Sequence, residues 1–127
     1  MIVGSGIDVI EIARIERVLG RSGERFVQRV FAPAEIAHCR RFRRPAPHFA
    51  LRFAAKEAVM KAAGTGWARG VRWVDIETTT ADGDASLRLR LHGRVAEIAR
   101  ARGASALHLA VSRTRSHAVA VVLMEGA

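Results

Sequence analysis

The sequence predicts an α+β domain with a largely antiparallel sheet, and three observations carry that reading. Residues 2–9 and 118–124 read as strands at opposite ends of the chain. The stretch between them is patterned first for helices, from Glu11 to Gly64. A hairpin pattern follows: 73–79 alternates, Ala81-Asp82-Gly83-Asp84 has turn composition, and 86–91 returns.

In Ile2-Val3-Gly4-Ser5-Gly6-Ile7-Asp8-Val9, alternation puts Val3, Ser5, Ile7 and Val9 on one face and Gly4, Gly6 and Asp8 on the other. The second face is nearly bare until the carboxylate, so something can approach its backbone closely there. Asp8 either caps the following helix or serves a site. Residues 11–20 form an amphipathic helix with Ile12, Ile15, Val18 and Leu19 as its apolar stripe and Arg14, Arg17 and Arg21 outside it. Ser22 can cap a second helix carrying Arg25, Phe26, Arg29 and Val30. These arginines are either a solvated face or a docking surface for an acidic partner. Pro33 opens a third helix reaching about Phe42, which runs into the basic cluster Arg40 to Arg44. That cluster fits a phosphate site, and equally a helix end where positive charge is favoured.

The central helix spans Arg52 to Ala63 and closes at Gly64-Thr65-Gly66, whose backbone N–H groups are candidates to face an anion. Glu57 and Lys61 sit one turn apart on it, as a surface pair or as working groups. Of the 21 basic side chains only Lys56 and Lys61 are lysines, so in an arginine-rich chain a compact ammonium is wanted here. Arg94 to Arg102 form a short helix stopped by Gly103. Leu107, Leu109 and Val111 then alternate with His108, Ala110 and Ser112, so His108 points away from the leucines, as a structural or a functional histidine. The apolar run Ala118 to Met124 reads as a strand buried on both faces.

With 127 residues, 50% hydrophobic and 26% charged, the chain is expected to be one globular domain spanning 1–127. It contains no apolar run near the ~20 residues of a membrane span and no secretory leader pattern, and Cys39 is alone. A cytoplasmic protein without membrane attachment is expected. The net charge of +9 calls for an anionic partner.

Gly6-Ile7-Asp8, followed by Phe53-Ala54-Ala55-Lys56-Glu57-Ala58-Val59-Met60-Lys61, resembles the paired signature of the 4′-phosphopantetheinyl transferase superfamily, in its short bacterial type. Phe31-Ala32-Pro33-Ala34-Glu35, Gly64-Thr65-Gly66, Trp73 to Glu77 and His108 to Ser112 extend the resemblance over nearly the whole chain. It implies the fold of that superfamily and transfer of the phosphopantetheine arm of coenzyme A to a serine hydroxyl of an apo acyl carrier protein, in support of fatty acid biosynthesis. Adenosine 3′,5′-bisphosphate would be the other product.

By position, the resemblance makes Asp8 and Glu57 the ligands of Mg²⁺, with Mn²⁺ as an alternative, and Lys61 the charge partner of the reacting phosphate. Glu57, directly or through a bound water, is the candidate base. Arg44, Arg52, Lys56, Gly64, Thr65, Gly66 and His108 fall where the family binds coenzyme A. Arg14, Arg17, Arg21, Arg25 and Phe26 fall on the carrier-protein surface. A single-length chain implies a homotrimer with active sites between subunits.

Two carboxylates from separate elements suit Mg²⁺, which completes its shell with waters and substrate phosphates. The attacking hydroxyl would arrive on the partner, which accounts for a chain without a nucleophile triad. Three positions depart from the pattern. Arg113 stands where many relatives carry histidine or an acid, Asp84 replaces a common proline, and Ala32 replaces a threonine cap worth about 1 kcal/mol. The rival reading is a basic nucleic-acid binder. It is disfavoured by the absence of tyrosine and of any recognisable nucleic-acid motif, and it leaves Asp8 and Glu57 without a purpose. A degenerate member that binds without catalysis would lack an acid or a lysine, and all are present.

Overall fold

The structure is a computed structural model that describes residues 1–80 and 87–127. The predicted turn at 81–84, with Asp84, and Ser86 lie outside the described residues. In chain order the elements are β1 (Ile2–Glu11), α1 (Ile12–Val30), α2 (Pro33–Arg40), α3 (Ala46–Ala63), a 3-10 turn (Trp73–Asp75), β2 (Ile76–Thr80), β3 (Leu87–Leu91), α4 (Gly93–Ala101), β4 (Ala104–Arg113) and β5 (His117–Gly126). Among the described residues the strands form two antiparallel sheets, one ordered β1-β5-β4 and one pairing β2 with β3.

α3 is the centre of the molecule. It is buried almost all round, and it lies against β1 and β5 through small residues, Ala54, Ala55, Ala58 and Ala62. The bare face of β1 is what lets it in. A Cβ on Gly6 would overlap the Ala58 carbonyl oxygen, and one on Gly4 would overlap that of Ala62. Gly64 closes α3 with a left-handed backbone, φ 76°. Pro33 opens α2, where the Glu35 carboxylate accepts the Ala32 N–H at 2.8 Å.

α1 is two helical segments joined at a kink, and Ser22, with non-helical angles (φ −135°, ψ 42°), stands at the expected start of the second helix. Other expectations change. Asp8 is no helix cap: it sits inside β1, and Glu11 holds the N-cap position of α1. Residues 73–75 turn instead of extending, because the carbonyls of Trp73 and Ile76 both converge on the Lys56 ammonium. The strand begins only at Ile76.

β5 is buried on one face only. Ala118, Ala120, Val122 and Met124 are sealed under α3, whereas Leu123 is 36% exposed. The register sets Ile7 beside Val121 and Val9 beside Val119 on that outer face, and Ile7 and Val9 are each 57% exposed. A row of branched apolar side chains therefore lies open on the single chain.

Candidate active site

Asp8 follows Gly4 and Gly6 on the face of β1 that meets α3, and Glu57 and Lys61 lie one turn apart on α3. Close packing of strand on helix brings the three together. Lys61 Nζ donates to Asp8 Oδ1 at 3.0 Å and to the Ile7 carbonyl at 2.9 Å. The lysine is therefore drawn across to the strand, and a self-contained Glu57–Lys61 surface pair does not describe it. Burial raises the Glu57 pKa, and the Asp8 carboxylate raises it further, while Lys61 and Arg14 oppose the shift. The site thus holds a partly buried acid beside a second acid, with Lys61 and Arg14 as the opposing cations.

Among the described residues no group of three or more His, Cys, Asp or Glu side chains gathers as a metal cage. Mg²⁺ does not need one: one or two carboxylates, waters and substrate phosphates fill its octahedron. Burial first, and then the neighbouring Asp8 carboxylate, disfavour the charged form of Glu57, and a divalent cation between the two acids would offset both. The donor set fits Mg²⁺.

The residues assigned to coenzyme A separate into those at the surface and those spent inside. Lys56 is 0% exposed, and its three protons go to Glu35 Oε1 at 2.8 Å, the Trp73 carbonyl at 3.1 Å and the Ile76 carbonyl at 2.6 Å. It has no donor left for a coenzyme. Arg52, 1% exposed, donates to the His48 carbonyl at 3.0 Å from within the core of the single chain. In the turn after α3, the Gly64 N–H bonds the Lys61 carbonyl at 3.1 Å and the Thr65 N–H bonds Met60 at 3.1 Å. These two donors finish the helix and do not cradle an anion, and the Thr65 side chain is turned onto the Gly66 carbonyl at 2.6 Å.

At the surface, Arg44 grips Glu16, with Nε at 2.8 Å from Oε1. His108 is exposed on β4 and meets Glu125 Oε1 at 3.0 Å. That bond holds the Glu125 carboxyl below its usual range. The register places His108 across from Leu123, on the sheet face opposite α3. The single chain therefore unites Asp8, Glu57 and Lys61 but not His108. Arg113 lies exposed at the end of β4, and nothing in its surroundings assigns it a role.

Arg14, Arg17, Arg21 and Arg25 are all exposed along α1. The acids interspersed with them are engaged elsewhere, Glu16 by Arg44 and Glu24 by Arg40, which leaves the arginine face strongly positive. Phe26 is only half available. Its ring packs on Phe31 (6.0 Å between centroids) and Phe53 (5.8 Å), so it belongs in part to the core.

Sequence reasoning passed over two positioning groups. Arg102 donates to the Ala63 carbonyl and to the Val3 carbonyl, each at 3.2 Å, clasping the end of α3 to β1. Glu35 is the buried partner of Lys56. Its place two residues after Pro33 in a first helical turn was visible, but that signal marks a cap and says nothing of a lysine in another helix.

A family model described as the 4′-phosphopantetheinyl transferase superfamily matches residues 4–122. The chain is 44% identical to a holo-[acyl-carrier-protein] synthase of Koribacter versatilis, over 98% of this chain and 99% of that protein. It is 46% identical to one of Anaeromyxobacter dehalogenans, over 100% and 98% respectively. Among solved structures, the holo-[acyl-carrier-protein] synthase of Neisseria meningitidis superposes with a TM-score of 0.87 at 29% identity, covering 98% of this chain and 99% of that one. A holo-(acyl-carrier-protein) synthase of Bacillus anthracis, solved in complex with CoA (3′,5′-ADP), superposes with a TM-score of 0.81 at 34% identity, covering 100% and 99%.

Proposed function

The chain belongs to the 4′-phosphopantetheinyl transferase superfamily, among its holo-[acyl-carrier-protein] synthases, and on that premise we propose how its residues carry out the transfer. The substrates are coenzyme A and the serine hydroxyl of an apo acyl carrier protein. The serine oxygen attacks the phosphorus that bears the pantetheine arm. The bridging P–O bond of the pyrophosphate breaks, and adenosine 3′,5′-bisphosphate leaves. The observation that carries this reading is the convergence of Asp8, Glu57 and Lys61 from distant parts of the chain onto one edge of α3.

Asp8 and Glu57 would hold Mg²⁺ or Mn²⁺, which when bound supplies charge neutralisation and orientation of the pyrophosphate. Glu57, directly or through a bound water, takes the serine proton. Lys61, about half exposed, turns its ammonium toward the charge that develops on the leaving phosphate. Arg44, Gly66 and His108 are the surface members of the coenzyme-binding set, and Gly64 shapes the turn that carries Gly66. Arg52, Lys56 and Thr65 support it from within.

Arg14, Arg17, Arg21 and Arg25, with the edge of Phe26, receive the acidic carrier. The chain acts as one 1–127 domain in a homotrimer. The open row of Ile7, Val9 and Leu123 supports that assembly, as does the position of His108, which only a neighbouring copy can bring to the Asp8 side. A cytoplasmic role in fatty acid biosynthesis fits these substrates, and no described helix is long and apolar enough to cross a membrane. The test is to incubate the protein with coenzyme A, Mg²⁺ and an apo carrier protein and weigh the carrier. A gain of one phosphopantetheine mass is expected. No gain, on a carrier that a proven synthase does modify, would remove the assignment.

A further inference from the structure

Glu35 takes no part in the chemistry proposed above, yet it is the most heavily bonded carboxylate in the described residues. Its side chain is 1% exposed. Oε1 accepts the Ala32 N–H and Lys56 Nζ, both at 2.8 Å. Oε2 accepts the Thr78 N–H at 3.0 Å and the Thr78 hydroxyl. Lys56 adds the carbonyls of Trp73 and Ile76 and lies 5.5 Å from the centre of the Phe31 ring. One ion pair thus ties α2, α3 and the start of β2.

Stability is a poor reason for such a pair. Replacing a buried ion pair by apolar side chains of like volume is often neutral or favourable, because both charges lose their hydration. What the pair supplies is direction. On the sheet side α3 sets alanines against glycine backbone, and its larger side chains Phe49, Val59 and Met60 are buried on its other faces, so the ion pair adds a directional bond to non-directional packing. Successive residues on a helix point about 100° apart. Fixing Lys56 inward therefore fixes the direction of Glu57, and of Lys61 one turn further on.

We propose that the buried Glu35–Lys56–Thr78 network is a positioning device that sets the rotation of α3 and so aims Glu57 and Lys61 at Asp8. It rests on the reading of Asp8, Glu57 and Lys61 as the reacting centre. The network touches neither substrate. It acts through the helix it holds, and the α2 strap and the β2 hairpin are its anchors.

The test uses the double variant Glu35→Gln/Lys56→Met, which removes both charges together and leaves neither ion stranded, and Thr78→Val, which removes one hydroxyl. Each is compared with wild type for kcat, for KM of coenzyme A and of the carrier, for thermal unfolding, and for Mg²⁺ binding by calorimetry without carrier. The double variant is expected to fold, to lose about 10–100-fold in kcat and to bind Mg²⁺ about 10-fold more weakly, with carrier KM within about twofold of wild type. Thr78→Val should move the same readings in the same direction by less. A folded double variant with wild-type kcat and wild-type Mg²⁺ affinity overturns the proposal. So does a loss of activity that only tracks the unfolded fraction. Should the double variant not fold, Thr78→Val decides on the same readings. Wild-type protein that fails to transfer would remove the function reading itself, whereas active wild type beside an unaffected variant removes only the positioning role.

Discussion

Lys56 and Lys61 stand on one helix little more than a turn apart, and they face opposite worlds. The Lys56 side chain is 0% exposed, and burial pushes its pKa down against the pull of Glu35. Lys61 is 51% exposed and rests on Asp8 at 3.0 Å. In a chain that otherwise uses arginine, both positions need a small ammonium, for different reasons. At Lys56 three acceptors converge on one point, which a tetrahedral –NH₃⁺ meets and a planar guanidinium fork does not. At Lys61 the proposed function calls for a mobile point charge beside a phosphate. The comparison teaches that residue type marks the demand for a compact cation but not the side of the helix from which the demand comes.

The sharpest way to break this division is on the outer face. Glu57→Gln should lower transfer by about 10²–10⁴-fold while circular dichroism stays native. Without metal the variant should also unfold at a higher temperature than wild type, because one of two repelling acids is gone. On the inner face the order reverses. Lys56→Ala should cost about 3–5 kcal/mol in denaturant unfolding, since it leaves the Glu35 carboxylate buried without its counter-charge. Lys61→Ala, at a half-exposed pair, should cost about 1 kcal/mol or less and still lose most activity. Equal stability losses for the two lysines would contradict the distinction.

Smaller effects refine it. Gly6→Ala should cost about 1–3 kcal/mol, because the new methyl meets the backbone of α3 at Ala58 and the strand must retreat, carrying Asp8 with it. Reversing the charges of Arg14 and Arg21 should raise the carrier KM by about 10-fold or more and leave the coenzyme A KM nearly unchanged. An unchanged carrier KM would count against α1 as the docking face. The gentlest probe is pH. The fold raises the Glu57 pKa, so the folded state holds a proton that the unfolded state gives up. Glu57 therefore makes metal-free stability fall as pH rises from the ordinary glutamate range through its folded pKa. The gain in stability from Glu57→Gln should then be larger at pH 8 than at pH 5, measured by urea unfolding.

Local chemistry was legible in the chain. Gly4 and Gly6 announced a close backbone approach, and the approaching element is α3. Pro33 and Gly64 marked helix ends that hold, with α2 stopping at Arg40 short of the expected Phe42. The outer residues of β1 and β4 followed simple alternation, which put His108 on its proper face. What pairwise and long-range contacts decide was not legible. The inward turn of Lys56 depends on a glutamate 21 residues away in another helix, and the 3-10 turn at Trp73 depends on Lys56 in its turn. The run from Ala118 to Met124 looked doubly buried because apolar composition does not tell a core face from a face the single chain leaves open. The Gly-Thr-Gly turn looked like an anion nest, but at a helix C-terminus its first N–H groups are already claimed by Met60 and Lys61.

The central claim is that Asp8 and Glu57 share one cation. Titrating Mg²⁺ into the protein with coenzyme A present, followed by calorimetry, tests it most directly when wild type is run beside Asp8→Asn and Glu57→Gln. The account predicts saturable Mg²⁺ binding to wild type and its loss in both variants. Undiminished binding to either variant would contradict it.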